Sequence, residues 1–246
     1  IQFTPDTMPG DVIGSSIYNF ESHEFEYVPG AIMGNIILAD EINRTSPKTQ
    51  ASMLEAMEER RVTVDGKGHE LPYPFVVIAT QNPVMQRGTY YLPESQLDRF
   101  MMKLSVGYPD IRQSIQIVKN QIEGKTVKLM ENVAGTEEWS ELIKQAGEVA
   151  IKDELILYAA ECIECTRNHE KVQLGASPRA LLSWIKAAKS YAYVCGRGYV
   201  IPDDLKALAY VVLCHRIILK QNTGNDDEEV RRIITEVLGK VKVPIG

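Results

Sequence analysis

Asp40 and Glu41 are adjacent carboxylates that close an apolar run, Ile36-Ile37-Leu38-Ala39. Side chains alternate along a strand, so the two acids cannot do the same job there. If the strand ends at Asp40, both can face one phosphate. One then holds a hydrated Mg²⁺ and the other polarises a water for attack. A second reading stays open on these residues alone: a hydrophobic strand that stops at a charged turn.

Such chemistry needs a rigid frame, and the flanking residues supply its signals. The unalternating run before Asp40 suits a strand buried on both faces of a parallel sheet. Thr45-Ser46-Pro47 starts a helix, with Ser46 able to cap and Pro47 preset for the first helical position. That helix runs to about Arg60, with Ala51, Leu54 and Met57 on its inner face. Residues 75–80, Phe-Val-Val-Ile-Ala-Thr, form a second apolar strand ending at Gln81-Asn82-Pro83. Two buried strands joined through one helix make a right-handed βαβ unit, with both carboxyl ends side by side. Asn82 is thereby brought near Asp40 and Glu41.

Around this unit, residues 1–4 read as a short strand. Residues 15–30 read as a turn-rich insertion holding a hairpin strand, and residues 61–71 as a projecting hairpin turning at Asp65-Gly66-Lys67-Gly68. A third element spans 97–106 and is strand-like from 101. From Tyr108-Pro109-Asp110 onward the periodicity becomes helical, over 111–122, 137–149, 153–168, 178–194, 202–219 and 227–238. The spacing therefore predicts an α/β part at 1–107 followed by an all-α part at 108–246.

The chain has 246 residues, 44% hydrophobic and 24% charged, which is ordinary globular composition. A net charge of −6 and a pI near 5.4 argue against nucleic acid as the main partner. No apolar run is long enough to cross a bilayer and no signal peptide opens the chain, so the cytoplasm is the expected compartment. Cys162 and Cys165 have a C-x-x-C spacing, but they fall within an expected helix with no βαβ context. Small buried thiols are the better reading than a metal or redox pair.

Several segments in one order carry a resemblance: Ile-Leu-Ala-Asp-Glu-Ile-Asn-Arg at 37–44, Pro-Lys-Thr-Gln at 47–50 and Leu-Glu-Ala-Met-Glu-Glu-Arg at 54–60. They continue with Val-Thr-Val-Asp-Gly at 62–66, Ala-Thr-Gln-Asn-Pro at 79–83, Leu-Pro-Glu-Ser-Gln-Leu-Asp-Arg-Phe at 92–100 and Ser-Pro-Arg at 177–179. Together they closely resemble the MoxR family of AAA+ ATPases, over nearly the whole chain. The resemblance implies a P-loop NTPase core with a parallel sheet and an all-α lid, using ATP and Mg²⁺. Asp40 is similar to the Walker B aspartate that holds Mg²⁺, and Glu41 to the base that orients the attacking water. Asn82 resembles the sensor-1 residue at the γ-phosphate. Arg99 resembles the arginine finger that reaches a neighbouring subunit's site, and Arg179 the sensor-2 arginine of the lid. Hairpins 15–30 and 61–71 resemble the helix-2 insert and sensor-1 hairpin, which face the ring's pore or partner side.

The resemblance further implies a homo-oligomeric ring, hexameric in expectation, that remodels, assembles or activates client proteins. A protein with a von Willebrand factor A domain is the implied partner. The chain departs from the family in one respect: it holds no G-x-x-x-x-G-K-[ST] loop to grip phosphates. Gly124-Lys125-Thr126 matches in letters only, with Lys119 where the first glycine belongs. The expectation is that this loop precedes Ile1 in the natural protein. Two alternatives stand beside the ATPase: a nucleotide-free scaffold, and another AAA+ branch such as a magnesium-chelatase ATPase subunit.

Overall fold

The computed structural model describes residues 1–82, 90–124, 131–221 and 226–244. The first part of the chain runs α1 (Pro9–Ile13), β1 (Gly14–Asn19), β2 (Glu24–Pro29), β3 (Ile36–Ala39), α2 (Pro47–Glu59), β4 (Arg61–Val64), β5 (Lys67–Glu70), β6 (Val76–Ala79) and α3 (Glu94–Leu97). β3 and β6 pair in parallel from Ile36↔Val76 to Ala39↔Ala79, the βαβ unit expected from the two apolar runs. Gln2 bridges Asp40 in the same direction, so residues 1–4 contribute a single bridge where a strand was expected.

The sheet is buried on one face only. Ile37 and Ala39 point into a core with Phe3, Val12, Met53 and Leu54. Their neighbours Ile36, Leu38 and Ile78 are 64%, 53% and 55% exposed. The expectation of a strand covered on both faces is corrected here, because among the described residues no element packs on that side.

Ser46 caps α2 by accepting from the Thr49 amide at 3.3 Å, with Pro47 at the first helical position. The inner face of α2 is Gln50, Met53, Leu54 and Ala56, with Met57 half-buried and Ala51 exposed. This is rotated from the expected Ala51, Leu54 and Met57 stripe. The cause is a buried polar group: Gln50 Nε2 donates to the carbonyls of Ile42 at 3.2 Å and Thr45 at 3.3 Å, bracing the turn that leaves β3.

Both projecting segments form hairpins. β1 and β2 pair antiparallel from Gly14↔Pro29 to Asn19↔Glu24. At their base a Cβ on Gly30 would lie 2.2 Å from the Gly14 amide nitrogen, so only glycine fits. β4 and β5 close through Asp65 and Gly66, whose φ angles of 49° and 78° give the doubly positive turn that hairpins favour. The two hairpins touch: the Tyr27 ring stacks on His69 with centroids 3.7 Å apart.

The second part comprises α4 (Ile111–Ile122), α5 (Thr136–Glu148), α6 (Asp153–Arg167), β7 (Val172–Leu174), α7 (Pro178–Val194), α8 (Pro202–Leu213), β8 (Ile218–Leu219) and α9 (Asp226–Lys240). Its core centres on Trp184, fully buried, whose Nε1 donates to the Leu205 carbonyl at 2.8 Å. Two sequence expectations change. The helix predicted over 202–219 stops at Leu213, because residues 214–216 form a 3-10 turn that aims His215 and Arg216 inward and Ile218–Leu219 then pairs with β7. The strand expected from 101 to 106 is absent, since those residues pair with no strand, and Lys103 donates instead to the Val211 carbonyl at 2.8 Å. Cys162 is wholly buried in α6, and burial pushes its thiol up to about 12, which fits an inert core residue. Lys125 and Thr126 lie outside the described residues.

Candidate functional site

The acidic couplet sits where β3 ends. Glu41 has φ 54° and ψ 46°, a left-handed conformation uncommon for a residue other than glycine. Strained backbone of this kind gathers at functional sites. It turns the chain sharply, so that Glu41 does not continue the strand's alternation. Thr80, at the end of β6, fastens both acids. Its Oγ1 donates to Asp40 Oδ1 at 2.5 Å and accepts from the Glu41 amide at 2.9 Å. The Ile42 amide donates to the Thr80 carbonyl at 3.1 Å.

Asn82 follows two residues later and is held by the buried Asn43. Asn43 Nδ2 donates to the Asn82 carbonyl at 3.0 Å, and Asn43 Oδ1 accepts from the Asn82 amide at 3.4 Å. The structure therefore brings Asp40, Glu41 and Asn82 to one edge of the sheet, at the carboxyl ends of β3 and β6, where open α/β sheets bind ligands. Glu41 is not idle there: its Oε2 accepts from Arg44 at 2.9 Å and from Gln2 at 3.3 Å. Thr80 and Asn43 were missed by sequence reasoning. The signal available was positional: Thr80 closes the second apolar run, and Asn43 lies in the turn just after the acids.

The arginines lie elsewhere. Arg99 Nη1 reaches Glu58 Oε2 at 3.2 Å, and Arg179 Nη2 reaches Oε1 of the same carboxylate. Glu58 stands eleven residues after Pro47 in α2, ~16 Å along the axis at about 1.5 Å per residue. Arg60, at that end of the helix, donates to the Phe75 carbonyl at the amino end of β6. Arg99 and Arg179 are thus brought together, at the opposite end of the βαβ unit from Asp40 and Glu41.

A buried network fixes this arrangement where the chain passes from one core to the other. Phe100 packs on the first core and Met102 on the second. Arg216, whose side chain is 1% exposed, donates from Nε to Asp98 Oδ1 at 2.8 Å and from Nη2 to the carbonyls of Asp98 and Phe100 at 3.0 Å and 2.6 Å. Ser177 Oγ donates to the Asp98 carboxylate at 3.0 Å while capping α7 through the Ala180 amide. Asp98 therefore pins the start of α7, and Arg179 two residues on is delivered beside Arg99.

His215 completes the junction, with Nε2 3.1 Å from the Phe100 carbonyl and Nδ1 buried without a partner among the described residues. Burial, with the Arg216 charge beside it, pulls its pKa down to about 4 from 6.5. The folded state refuses a proton that the unfolded chain accepts below about 6.5, so stability is full above that pH and falls as pH drops towards 4. At roughly 1.4 kcal/mol per pKa unit the loss is on the order of 3 kcal/mol once the pH is well below 4. Melting temperatures of wild type and His215→Gln between pH 7 and pH 4.5 check this. The variant should lose less on acidification, and parallel curves would remove His215 as the cause.

A parallel βαβ unit with acids at its carboxyl edge, followed by a helical part that sends an arginine back to it, is the arrangement expected of an AAA+ ATPase core with its lid. Comparison with known proteins agrees. Residues 1–102 match the family model described as ATPase family associated with various cellular activities (AAA), and residues 164–237 match the AAA lid domain. The chain is 48% identical to YeaC of Bacillus subtilis (strain 168), covering 100% of this chain and 77% of that protein. It is 39% identical to chaperone MoxR1 of Mycobacterium tuberculosis, covering 99% of this chain and 67% of that one. A crystal structure from Cytophaga hutchinsonii ATCC 33406 superposes with a TM-score of 0.88 at 38% identity, over 100% of this chain and 77% of its own. The chain belongs to the MoxR family of AAA+ ATPases.

Proposed function

We propose that this protein hydrolyses ATP at sites shared between neighbouring copies in a ring, and uses the cycle to remodel or activate client proteins. The observation that carries the reading is the couplet itself: Asp40 and Glu41, turned by a left-handed residue and tied to Thr80, beside Asn82 at the sheet's carboxyl edge. The name chaperone given to the relative MoxR1 supports the remodelling role. A von Willebrand factor A domain protein as partner, six subunits in the ring and a cytoplasmic location belong to the same proposal. Among the described residues no helix is long and apolar enough to cross a membrane.

The donor fits Mg²⁺, being the hard carboxylate oxygen of Asp40. No cluster of three or more metal-binding side chains occurs among the described residues. Mg²⁺ takes one or two carboxylates and fills its remaining positions with water and substrate phosphates. Bound there by Asp40, the ion would neutralise charge on the phosphates. Glu41 accepts the proton of a water and aligns it for attack on the terminal phosphorus, after releasing Arg44 and Gln2. Asn82 orients that water or a phosphate oxygen through its side-chain amide. Thr80 holds Asp40 in place, and Asn43 holds Asn82. Arg99 and Arg179 come from the adjoining copy and balance the charge that spreads over the transferred group. The βγ bond breaks, and ADP and inorganic phosphate leave.

These 246 residues contain no G-x-x-x-x-G-K-[ST] sequence, so the reading needs a phosphate-cradling loop from outside them. The test therefore uses the protein as its natural gene encodes it. Phosphate release should require both ATP and Mg²⁺. Release at the buffer rate, with ATP unbound, would instead support the nucleotide-free scaffold.

A further inference from the structure

The sharing of one carboxylate by two arginines from different parts of the chain asks for an explanation. Glu58 comes from the end of α2, Arg99 from just after α3 and Arg179 from the first turn of α7. Each guanidinium takes a separate oxygen of Glu58. Two guanidinium groups this close repel one another, and without an anion between them their long side chains would splay into solvent. The backbone on either side is already fixed, since Asp98 is gripped by Arg216 and Ser177. Only the side-chain ends remain to be ordered.

The three groups are 32%, 43% and 35% exposed, for Arg99, Arg179 and Glu58 in turn, so the cluster opens to solvent. Its formal charge is +1, two cations against one anion. Every guanidinium has five N–H donors in a planar fork, and Glu58 occupies one end of each. The remaining donors suit an anion with several oxygens.

We propose that Glu58 is a positioning residue that holds Arg99 and Arg179 as one pre-assembled clamp for a triphosphate presented by the neighbouring copy. The inference rests on the ATPase reading above and extends it. Glu58 touches no phosphate itself; it orders the two cations that do. The ordering is done before the phosphate arrives, so the cost of fixing two flexible side chains falls outside the catalytic step. A clamp built this way should affect turnover more than nucleotide affinity, because ATP is held mainly by the copy that contributes Asp40.

Glu58→Gln removes the charge and keeps the shape, and Glu58→Asp keeps the charge on a shorter arm. In the natural full-length protein, steady-state phosphate release should show kcat for Glu58→Gln lower by about tenfold, the size expected for losing charge-assisted bonds that are partly exposed. KM for ATP should move by less than about twofold. Glu58→Asp should recover part of the loss. Combining Glu58→Gln with Arg99→Ala should cost no more than Arg99→Ala alone, since both disable one clamp. Mixed with Glu41→Gln subunits, Glu58→Gln subunits should regain activity, and mixed with Arg99→Ala subunits they should not. Unchanged kcat, or a loss matched by a lower melting temperature and not restored by Glu58→Asp, would overturn the proposal. Wild-type protein without phosphate release would sink the ATPase reading itself, so the two failures separate cleanly.

Discussion

Replacing Arg99 with alanine is expected to lower ATP turnover by roughly 10³-fold while leaving nucleotide binding intact, because an arginine supplied across an interface stabilises charge that exists only in the transition state. The prediction follows from position. Arg99 sits with Glu58 at the amino ends of the strands, while Asp40 and Glu41 sit at their carboxyl ends. The length of α2 lies between, too far for one side chain to span. An arginine so placed can serve a phosphate held by another copy, or no phosphate at all. Its alternative role is a surface ion pair with Glu58, which would be worth at most about 1 kcal/mol and would leave turnover alone. Turnover and equilibrium binding of a fluorescent ATP analogue, measured on the same preparations, decide between the two. Equal losses in both would point to misfolding, and no loss in either would retire the finger.

Glu41→Gln is expected to slow hydrolysis by roughly 10²-fold or more and to trap ATP on the protein. Glutamine keeps the shape and still satisfies Arg44 and Gln2 through its carbonyl oxygen, but it cannot accept a proton from water at neutral pH. The left-handed backbone at Glu41 is a property of the turn, so the exchange should not move it. Asp40, Thr80 and Asn82 keep their bonds. Rapid-quench turnover with retention of bound ATP measures the effect. Normal turnover would remove Glu41 from its role and return the couplet to the plainer reading of a strand that ends in charge.

How much of this could be read from the amino acids depends on the range of the interactions. The βαβ unit was legible because two unalternating apolar runs flank a helix with a serine cap and a proline start, all local signals. The β4–β5 hairpin was legible because Asp65-Gly66 can adopt a doubly positive turn. The couplet and Asn82 followed from those, since parallel strands place their carboxyl ends together. Thr80 and Asn43 were not singled out, although they tie the site together, because a threonine at a strand end and an asparagine in a turn have many ordinary uses.

The ion cluster on Glu58 was illegible. Its members are separated by dozens of residues, and no period or spacing links them. Residues 101–106 read as a strand, with apolar and polar side chains alternating from Met102 to Val106, yet the strand they needed as a partner is not beside them; the segment bridges two cores instead. The 202–219 run read as one helix because Pro202 opens it and no glycine or further proline interrupts it before Leu219. What broke it was Arg216, drawn inward by Asp98 and by three backbone carbonyls from residues 98–101. Tertiary demand of that kind overrides helix propensity. The exposed side of β3 read as buried because four apolar residues in a row carry no mark of which face is covered.

The account depends on a site divided between adjoining copies, acids from one and arginines from the next. Glu41→Gln and Arg99→Ala proteins, each inactive alone, should be mixed in equal amounts and assayed for phosphate release as the ratio varies. Random assembly pairs an intact acid with an intact arginine at roughly a quarter of the sites, so activity should reappear and peak near equal mixing. Mixtures as inactive as their components, in rings shown to exchange subunits, would contradict it.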